Sequence, residues 1–200
     1  MRDRENIEQI LTLKPDMLGF IFYPKSQRYV DKSTAINKIA YPDDLVKVGV
    51  FVDAEIHEIE EKVRDYNLQA VQLHGHETAD FCRSLQKQAL LVIKTFPVDE
   101  HVDFRLLDAY QDVVDYFLFD TKTDVYGGSG LQFNWNLLNQ YQGEKPFIIS
   151  GGIAVGDALK IKALQHPKLM GVDLNSRFET APAYKDFDLV RQFLHTLQNT

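Results

Sequence analysis

The sequence DYFLFDTKTDVYGGSG, residues 115–130, joins an apolar segment, an acidic residue and a glycine-rich segment in direct succession. Residues 116–119 are wholly apolar and mostly aromatic, which is typical of a strand covered on both faces of a parallel sheet. Asp120 ends that segment, and Gly127, Gly128 and Gly130 follow it. A glycine has no Cβ, so the backbone there can turn tightly or approach a ligand closely. Asp120 is therefore a candidate catalytic acid, with the simpler alternative that it only caps the turn after the strand.

Six more apolar segments of strand length occur along the chain. Together with the first they give predicted strands at residues 17–22, 46–52, 70–73, 90–96, 116–119, 146–149 and 171–174. Their starts are about 20 to 30 residues apart, the length of a strand plus a crossover helix. Between them apolar residues recur at helical spacing, most clearly at Ile56, Ile59, Val63 and Tyr66. This alternation, without a Pro- or Gly-rich linker, predicts one α/β domain over residues 1–200.

The position of the polar residues distinguishes an open doubly wound sheet from a barrel. Polar or small residues follow nearly every predicted strand, at residues 23–28, Asp53, His74, Thr95, Asp120, 150–152 and 173–176. An open sheet binds its ligand at one crevice, whereas a barrel gathers the carboxyl ends of all its strands at one face. We therefore expect a (β/α)8 TIM barrel. The chain starts with a helical stripe at Ile7, Ile10 and Leu11, so only seven strands are visible and the first strand is expected to be missing, unless the sheet is open.

Composition narrows the class of protein. The chain has 22 Lys and Arg against 29 Asp and Glu, a net charge of -7, and no basic cluster, which argues against nucleic acid as a partner. No apolar run approaches the ~20 residues that a membrane helix needs. Cys82 is the only cysteine, so an internal disulfide is impossible and a reducing compartment is expected. We expect a cytoplasmic protein that binds no membrane, and we interpret Cys82 as a packing residue.

Two other predicted strand ends carry the signals of an anion site. Gly151 and Gly152 follow one strand, and Asn175 and Ser176 follow the last one. Exposed backbone amides at these two junctions are where a (β/α)8 enzyme usually binds a phosphate, so we predict phosphate binding rather than plain turns. Arg28, in the loop after the first visible strand, can grip a carboxylate with two parallel hydrogen bonds, or it can be an ordinary solvated arginine.

His74 and His76 raise the question of a metal. His74 with Asp120 and Asp173 is a conceivable set of ligands for a divalent ion. The other histidines fall on predicted helices or in loops away from strand ends, and single histidines usually have simpler roles. We therefore predict no metal site, and keep a metal-dependent sugar-phosphate epimerase as the alternative enzyme.

Six segments, read in order, resemble one known family. They are GFIFYPKSQRYV from Gly19, VGVFV from Val48, VQLHG from Val71, FDTK from Phe119 with YGGSG from Tyr126, SGGI from Ser150, and GVDLNSRFE from Gly171. Over essentially the whole chain the sequence is similar to phosphoribosylanthranilate isomerase. That resemblance implies a (β/α)8 fold and the Amadori rearrangement of N-(5-phosphoribosyl)anthranilate to 1-(2-carboxyphenylamino)-1-deoxyribulose 5-phosphate in L-tryptophan biosynthesis, with no metal and no organic cofactor.

The resemblance also implies roles for single residues. Asp120 is the general acid that protonates the furanose ring oxygen, and Arg28 holds the anthranilate carboxylate. His74 and Asp173 line the cavity beside the substrate. The phosphate of this small-molecule substrate is held by Gly151, Gly152, Asn175 and Ser176.

One part of the family pattern has no counterpart here. The family opens with a strand ending in Cys-Gly, whose cysteine is the general base, whereas this chain reads Met1-Arg2-Asp3 at the point just after that motif. We therefore expect the base to lie upstream of Met1 and the 200-residue chain to be impaired. A phosphosugar-binding remnant without activity is a further alternative. The sequence leaves monomer and homodimer both open.

Overall fold

Seven parallel strands form one sheet in the computed structural model, which describes residues 1–122 and 132–199. Each strand pairs in parallel with the next one along the chain. In sheet order the strands are β1 (Met17–Ile21), β2 (Val46–Phe51), β3 (Ala70–Leu73), β4 (Leu91–Val98), β5 (Tyr116–Thr121), β6 (Phe147–Ile149) and β7 (Leu169–Val172). The predicted α/β class and the seven parallel strands are confirmed.

The last strand differs slightly from its prediction. It begins at Leu169 and ends at Val172, two residues earlier than the predicted 171–174. The register of β6 and β7 shifts between Phe147 and Ile148, so Ile148 pairs with Gly171. As a result Asp173 lies just beyond the strand, and its backbone N–H donates to the carbonyl of Ile149 at 2.8 Å.

Helices cross between the strands on the outer face of the sheet. The α-helices are α1 (Arg4–Leu11), α2 (Ile56–Tyr66), α3 (Ala79–Gln86), α4 (Ala158–Ala163) and α5 (Phe187–Asn199). Their starts and ends follow local chemistry: Asp3 and Thr78 accept hydrogen bonds from the first turns of α1 and α3, and Asn67 ends α2 in the left-handed conformation at φ 48°. Short 3-10 helices occupy Ala35–Lys38, Phe104–Tyr110, Trp135–Gln140, Val155–Asp157 and Ser176–Phe178. A hairpin of β8 (Glu179–Ala181) and β9 (Tyr184–Lys185) precedes α5.

Two cores lie on the two faces of the sheet. The larger one packs Leu18, Phe20, Phe117, Phe119 and other outward-facing strand residues against the helices. Phe119 and Phe147 are fully buried there, with ring centroids 5.1 Å apart. Full burial of one such side chain stabilises the fold by about 1.5–3 kcal/mol.

The smaller core lies on the inner face, where the sheet curls around it. Its buried members are Val48, Ala70, Ile93 and Leu118, one from each of four neighbouring strands. Side chains alternate between the two faces of a strand, so the next inward position is two residues further on. Those positions are Val50, Gln72, Thr95 and Asp120, so polar side chains follow the inner apolar core on β3, β4 and β5.

β1 and β7 form the two edges of this partial barrel, and in residues 1–122 and 132–199 no ladder joins them. Residues near the start of the chain pack at the open side. The backbone nitrogen of Met1 donates to the carbonyl of Gly19 at 2.8 Å, and the Asn6 amide makes two hydrogen bonds to the backbone of Lys185, of 2.7 and 2.8 Å. α1 is thereby attached both to β1 and to the β8–β9 hairpin. None of the helices described is both long and apolar enough to cross a membrane.

Candidate active site

The carboxyl ends of the parallel strands meet at one rim, and polar side chains follow four of them. His74 comes directly after β3, Asp120 lies near the end of β5, Ser150 follows β6 and Asp173 follows β7. Because every strand runs in the same direction, this arrangement needs no long loops to bring the groups together. The structure therefore gathers His74, Asp120 and Asp173, which the sequence placed more than 20 residues apart from one another.

Asp120 is held on both of its oxygens. Oδ1 accepts a hydrogen bond from the backbone N–H of Thr121 at 2.8 Å, and Oδ2 lies 3.3 Å from Nε2 of His74. The other ring nitrogen of His74, Nδ1, lies 3.1 Å from the amide nitrogen of the buried Gln72. With that amide donating to Nδ1, a neutral ring carries its proton on Nε2, the ring nitrogen that lies near Asp120. About a quarter of the Asp120 side chain is exposed, so a ligand can reach it.

Asp173 supplies a second carboxyl group close to Asp120. Burial raises the pKa of Asp173 above its ordinary value; the positive charge of Lys185 opposes that rise and the negative charge of Asp120 adds to it. The hydroxyl of Ser150 donates to Oδ2 of Asp173 at 3.1 Å. Asp173 therefore keeps a proton to higher pH than an exposed aspartate does. Two carboxyl groups of unlike environment at one site are a common arrangement for proton transfer.

Gly151 brings the turn after β6 against Asp120. Its φ of 88° lies in the region that side chains disfavour, and a Cβ built on it would lie 2.6 Å from Oδ1 of Asp120 and closer still to the Thr121 hydroxyl. Gly152, at φ 62°, has the same backbone requirement, and its carbonyl accepts a hydrogen bond from Gln132 at 2.9 Å. These two predicted phosphate-binding glycines thus lie beside the acid. Gly127, Gly128 and Gly130 lie outside the described residues.

Asn175 and Ser176 form the turn after β7. Asn175 has φ -127° and ψ -109°, and the short 3-10 helix begins at the next residue. The side-chain oxygen of Asn175 accepts a hydrogen bond from Nζ of Lys185 at 2.9 Å. The predicted phosphate junction therefore includes a cation that the sequence analysis did not identify.

Arg28 is not a solvated loop arginine. Its Nε donates to both carboxylate oxygens of Glu179, at 3.0 and 2.9 Å, and its Nη2 donates to Oε2 at 2.6 Å. The Arg28 side chain is 13% exposed and that of Glu179 is 4% exposed. Glu179 and Lys185 were missed because no local spacing links residue 28 to residues 151 and 157 positions later. The partner of Arg28 is identified only in the folded structure, where the buried arginine contacts Glu179.

A buried ion pair supports the turn that carries His74. Nζ of Lys94, on β4, lies 3.1 Å from the Glu77 carboxylate and donates to the carbonyl of Gly75 at 2.8 Å. Glu77 in turn accepts from the backbone N–H of Gly75 at 3.0 Å. His76 is different, since it is exposed and pairs with Asp53 at 3.1 Å. His76 is therefore turned away from the cluster around Asp120.

The predicted absence of a metal site concerns His74, Asp120 and Asp173. Within residues 1–122 and 132–199 no group of three or more His, Cys, Asp or Glu side chains is arranged to hold a metal ion. His74 and Asp120 instead contact each other directly. Metal analysis of the purified protein would separate a metal-dependent epimerase from an isomerase that uses only side chains.

Comparison with known proteins identifies the family. The sequence profile described as "N-(5'phosphoribosyl)anthranilate (PRA) isomerase" matches residues 1–196. The enzyme of that name from Parabacteroides distasonis is 42% identical over 199 residues, which are 98% of this chain and 90% of the relative. The crystal structure of phosphoribosyl anthranilate isomerase from Thermotoga maritima is 32% identical, with a TM-score of 0.88 and coverage of 100% of this chain and 96% of that one. A second isomerase structure, in complex with reduced 1-(o-carboxyphenylamino)-1-deoxyribulose 5-phosphate, is 28% identical with a TM-score of 0.85, and the coverage is again 100% and 96%. The chain therefore belongs to the N-(5'-phosphoribosyl)anthranilate isomerase family.

Proposed function

We propose that the protein catalyses the Amadori rearrangement of N-(5-phosphoribosyl)anthranilate to 1-(2-carboxyphenylamino)-1-deoxyribulose 5-phosphate, a step of tryptophan biosynthesis. The observation that carries this proposal is the position of Asp120, which lies at the rim of the strands, is partly exposed, and has Oδ2 3.3 Å from Nε2 of His74. The buried Asp173 beside it is the second supporting observation, because it supplies a second carboxyl group whose pKa burial raises.

Asp120 acts first in this proposal. It gives a proton to the ring oxygen of the ribose, and the bond between that oxygen and C1 breaks while the anthranilate nitrogen forms a double bond to C1. A base then removes the proton from C2, and the resulting enolamine becomes the ketone as C1 gains a proton and the C2 hydroxyl loses one. A positioned acid of this kind contributes typically ~10² to 10⁴ in rate.

The substrate's two anions are assigned to two different groups of residues at the rim. Arg28 holds the anthranilate carboxylate through the N–H groups that Glu179 does not use. Gly151, Gly152, Asn175 and Ser176 hold the phosphate through backbone amides, with Lys185 nearby. His74 and Asp173 line the space between, where the ribose reacts.

The family resemblance implies a cysteine of a Cys-Gly strand as the general base, and we assign that role to no described residue of the chain. Cys82 is unsuited to that role, because it is fully buried in α3 and burial raises the pKa of its thiol to about 11.

Turnover of the 200-residue chain should therefore rise when a strand ending in Cys-Gly is added upstream, by roughly 10² to 10⁴. The measurement is the initial rate with N-(5-phosphoribosyl)anthranilate, with identification of the product. A Cys→Ser change in the added strand is the control, and equal rates with and without the added strand would refute the assignment.

The proposed setting is the cytoplasm, with a small phosphorylated molecule as the substrate. A single buried cysteine suits a reducing compartment, and the net charge of -7 argues against a nucleic-acid partner.

A further inference from the structure

We infer that Glu179 is a positioning residue: it fixes one edge of the Arg28 guanidinium so that the other edge selects substrates with a carboxylate on the aromatic ring. The inference rests on the proposed function, which supplies that carboxylate. It assigns a role to a residue that the comparisons leave without one, and it makes the specificity of the site depend on a pair of residues rather than on Arg28 alone.

The contact between the two side chains determines the orientation of the guanidinium. A guanidinium has five N–H groups in one plane. Of the Arg28 nitrogens, Nε and Nη2 are the ones that donate to Glu179. Both N–H groups of Nη1 therefore point away from Glu179, along the opposite edge. Because two atoms of Arg28 are held at once, the plane of the guanidinium is fixed and not just its position.

Glu179 is itself held by more than Arg28. Its Oε1 accepts hydrogen bonds from the backbone N–H of Ala183 and from Nζ of Lys185, both at 3.2 Å. Burial works to raise the pKa of Glu179, but the hydrogen bond from Arg28 and the charges of Lys185 and Arg28 outweigh it, so this pKa lies below its ordinary value. Glu179 therefore stays ionised, and the pair keeps its geometry at neutral pH.

The charges of this cluster suit an anionic ligand. Arg28 and Lys185 both contact the single carboxylate of Glu179, and burial lowers the pKa of Lys185 below its ordinary value. Lys185 also donates to Asn175, in the junction proposed to hold the phosphate. One lysine thus contacts both Glu179, which holds the carboxylate anchor Arg28, and Asn175 of the phosphate anchor.

The test measures the affinity of two ligands for the full chain. One is reduced 1-(2-carboxyphenylamino)-1-deoxyribulose 5-phosphate, and the other is its counterpart without the ring carboxylate. Glu179→Gln keeps the size of the side chain but removes its charge. We expect this variant to lower the affinity for the first ligand by about 10- to 100-fold, the range for a charge-assisted hydrogen bond. The affinity for the second ligand should change by less than about twofold. Glu144→Gln, at a highly exposed glutamate, is the matched control and should change neither.

An equal loss of affinity for both ligands, or no loss for either, would overturn the inference. In an Arg28→Met background, Glu179→Gln should have no further effect on the first ligand, and an undiminished effect there would also overturn it. If Glu179→Gln fails to fold, Glu179→Asp, which keeps the charge and shortens the reach, must show the same selectivity between the ligands.

A measurement without ligand separates this inference from the proposed function. The Nε–H proton of Arg28 should exchange slowly with solvent in the unchanged protein and rapidly in Glu179→Gln, as observed by NMR. If the unchanged chain binds neither ligand, the proposed function fails, and this exchange rate alone decides whether Glu179 holds Arg28. Rapid exchange in the unchanged protein would contradict the positioning role.

Discussion

At the scale of single residues, the geometry around Asp120 depends on a neighbour that has no side chain. Gly151 meets two separate requirements, since its φ is 88° and a Cβ there would collide with Asp120 and Thr121. The sequence alone identified Gly151 as a turn residue near a ligand. It gave no sign of the contact with Asp120, because that contact joins the ends of two different strands.

Gly151→Ala should therefore impair both the site and the fold. We expect a loss of stability of about 1–3 kcal/mol from backbone strain, and a fall in turnover because Asp120 must move. Chemical unfolding and initial rates measure the two effects. Gly156→Ala is the control, since a Cβ at Gly156 would have no neighbouring heavy atom within 4 Å. Similar behaviour of the two variants would contradict this account of Gly151.

Asp173 should make stability depend on pH in a definite direction. Burial raises its pKa in the folded state above the value of ~3.9 expected in the unfolded chain. Its contribution to stability is therefore greatest at low pH and declines as the pH rises through the folded-state pKa. Asp173→Asn should raise the free energy of unfolding at pH 7, and should raise it by less near pH 4. Urea unfolding of the variant and of the unchanged protein at the two pH values tests this. If their free energies of unfolding differed by the same amount at both pH values, the result would be inconsistent with a raised pKa of Asp173.

At the scale of elements, the strands were predictable and several connections were not. Apolar segments of four to seven residues identified every strand of the large sheet, because the strands of a parallel sheet are mostly covered on both faces and are rich in apolar residues. The β8–β9 hairpin and the 3-10 helices at Ala35–Lys38, Val155–Asp157 and Ser176–Phe178 were not identified from the sequence. These elements are too short to show a periodic spacing of apolar residues, and their conformation depends on packing against the sheet.

The Lys94–Glu77 pair, between β4 and the turn after β3, is such a contact between elements. Both side chains are almost fully buried, so removing one charge leaves the other without a partner. Lys94→Met should destabilise the protein by roughly 3–5 kcal/mol. A Lys94→Met/Glu77→Leu double variant should recover part of that loss. Lys168→Met, at a more exposed ion pair, should cost under ~1 kcal/mol. A Lys94→Met variant as stable as Lys168→Met would show that the buried pair does not support this turn.

At the scale of the whole molecule, the sheet curls around a small apolar core and places its polar layer at one rim. The predicted barrel class followed from polar residues at nearly every strand end, and the gathering of His74, Asp120 and Asp173 follows from the same parallel topology. The burial of Arg28 against Glu179 could not be predicted, because it joins residues 151 positions apart and involves a hairpin that closes only in the folded chain.

The central claim is that Asp120 is the acid of an isomerase that acts on N-(5-phosphoribosyl)anthranilate. The most direct measurement is the single-turnover rate with that substrate, in the chain preceded by a Cys-Gly strand, for Asp120 and for Asp120→Asn. Asp188→Asn, at an exposed carboxylate on α5, is the control. We expect Asp120→Asn to lower the rate by roughly 10² to 10⁴ and the control to leave it unchanged. An Asp120→Asn protein that converts the substrate within about twofold of the unchanged rate would contradict the claim, since a catalytic acid contributes far more than that.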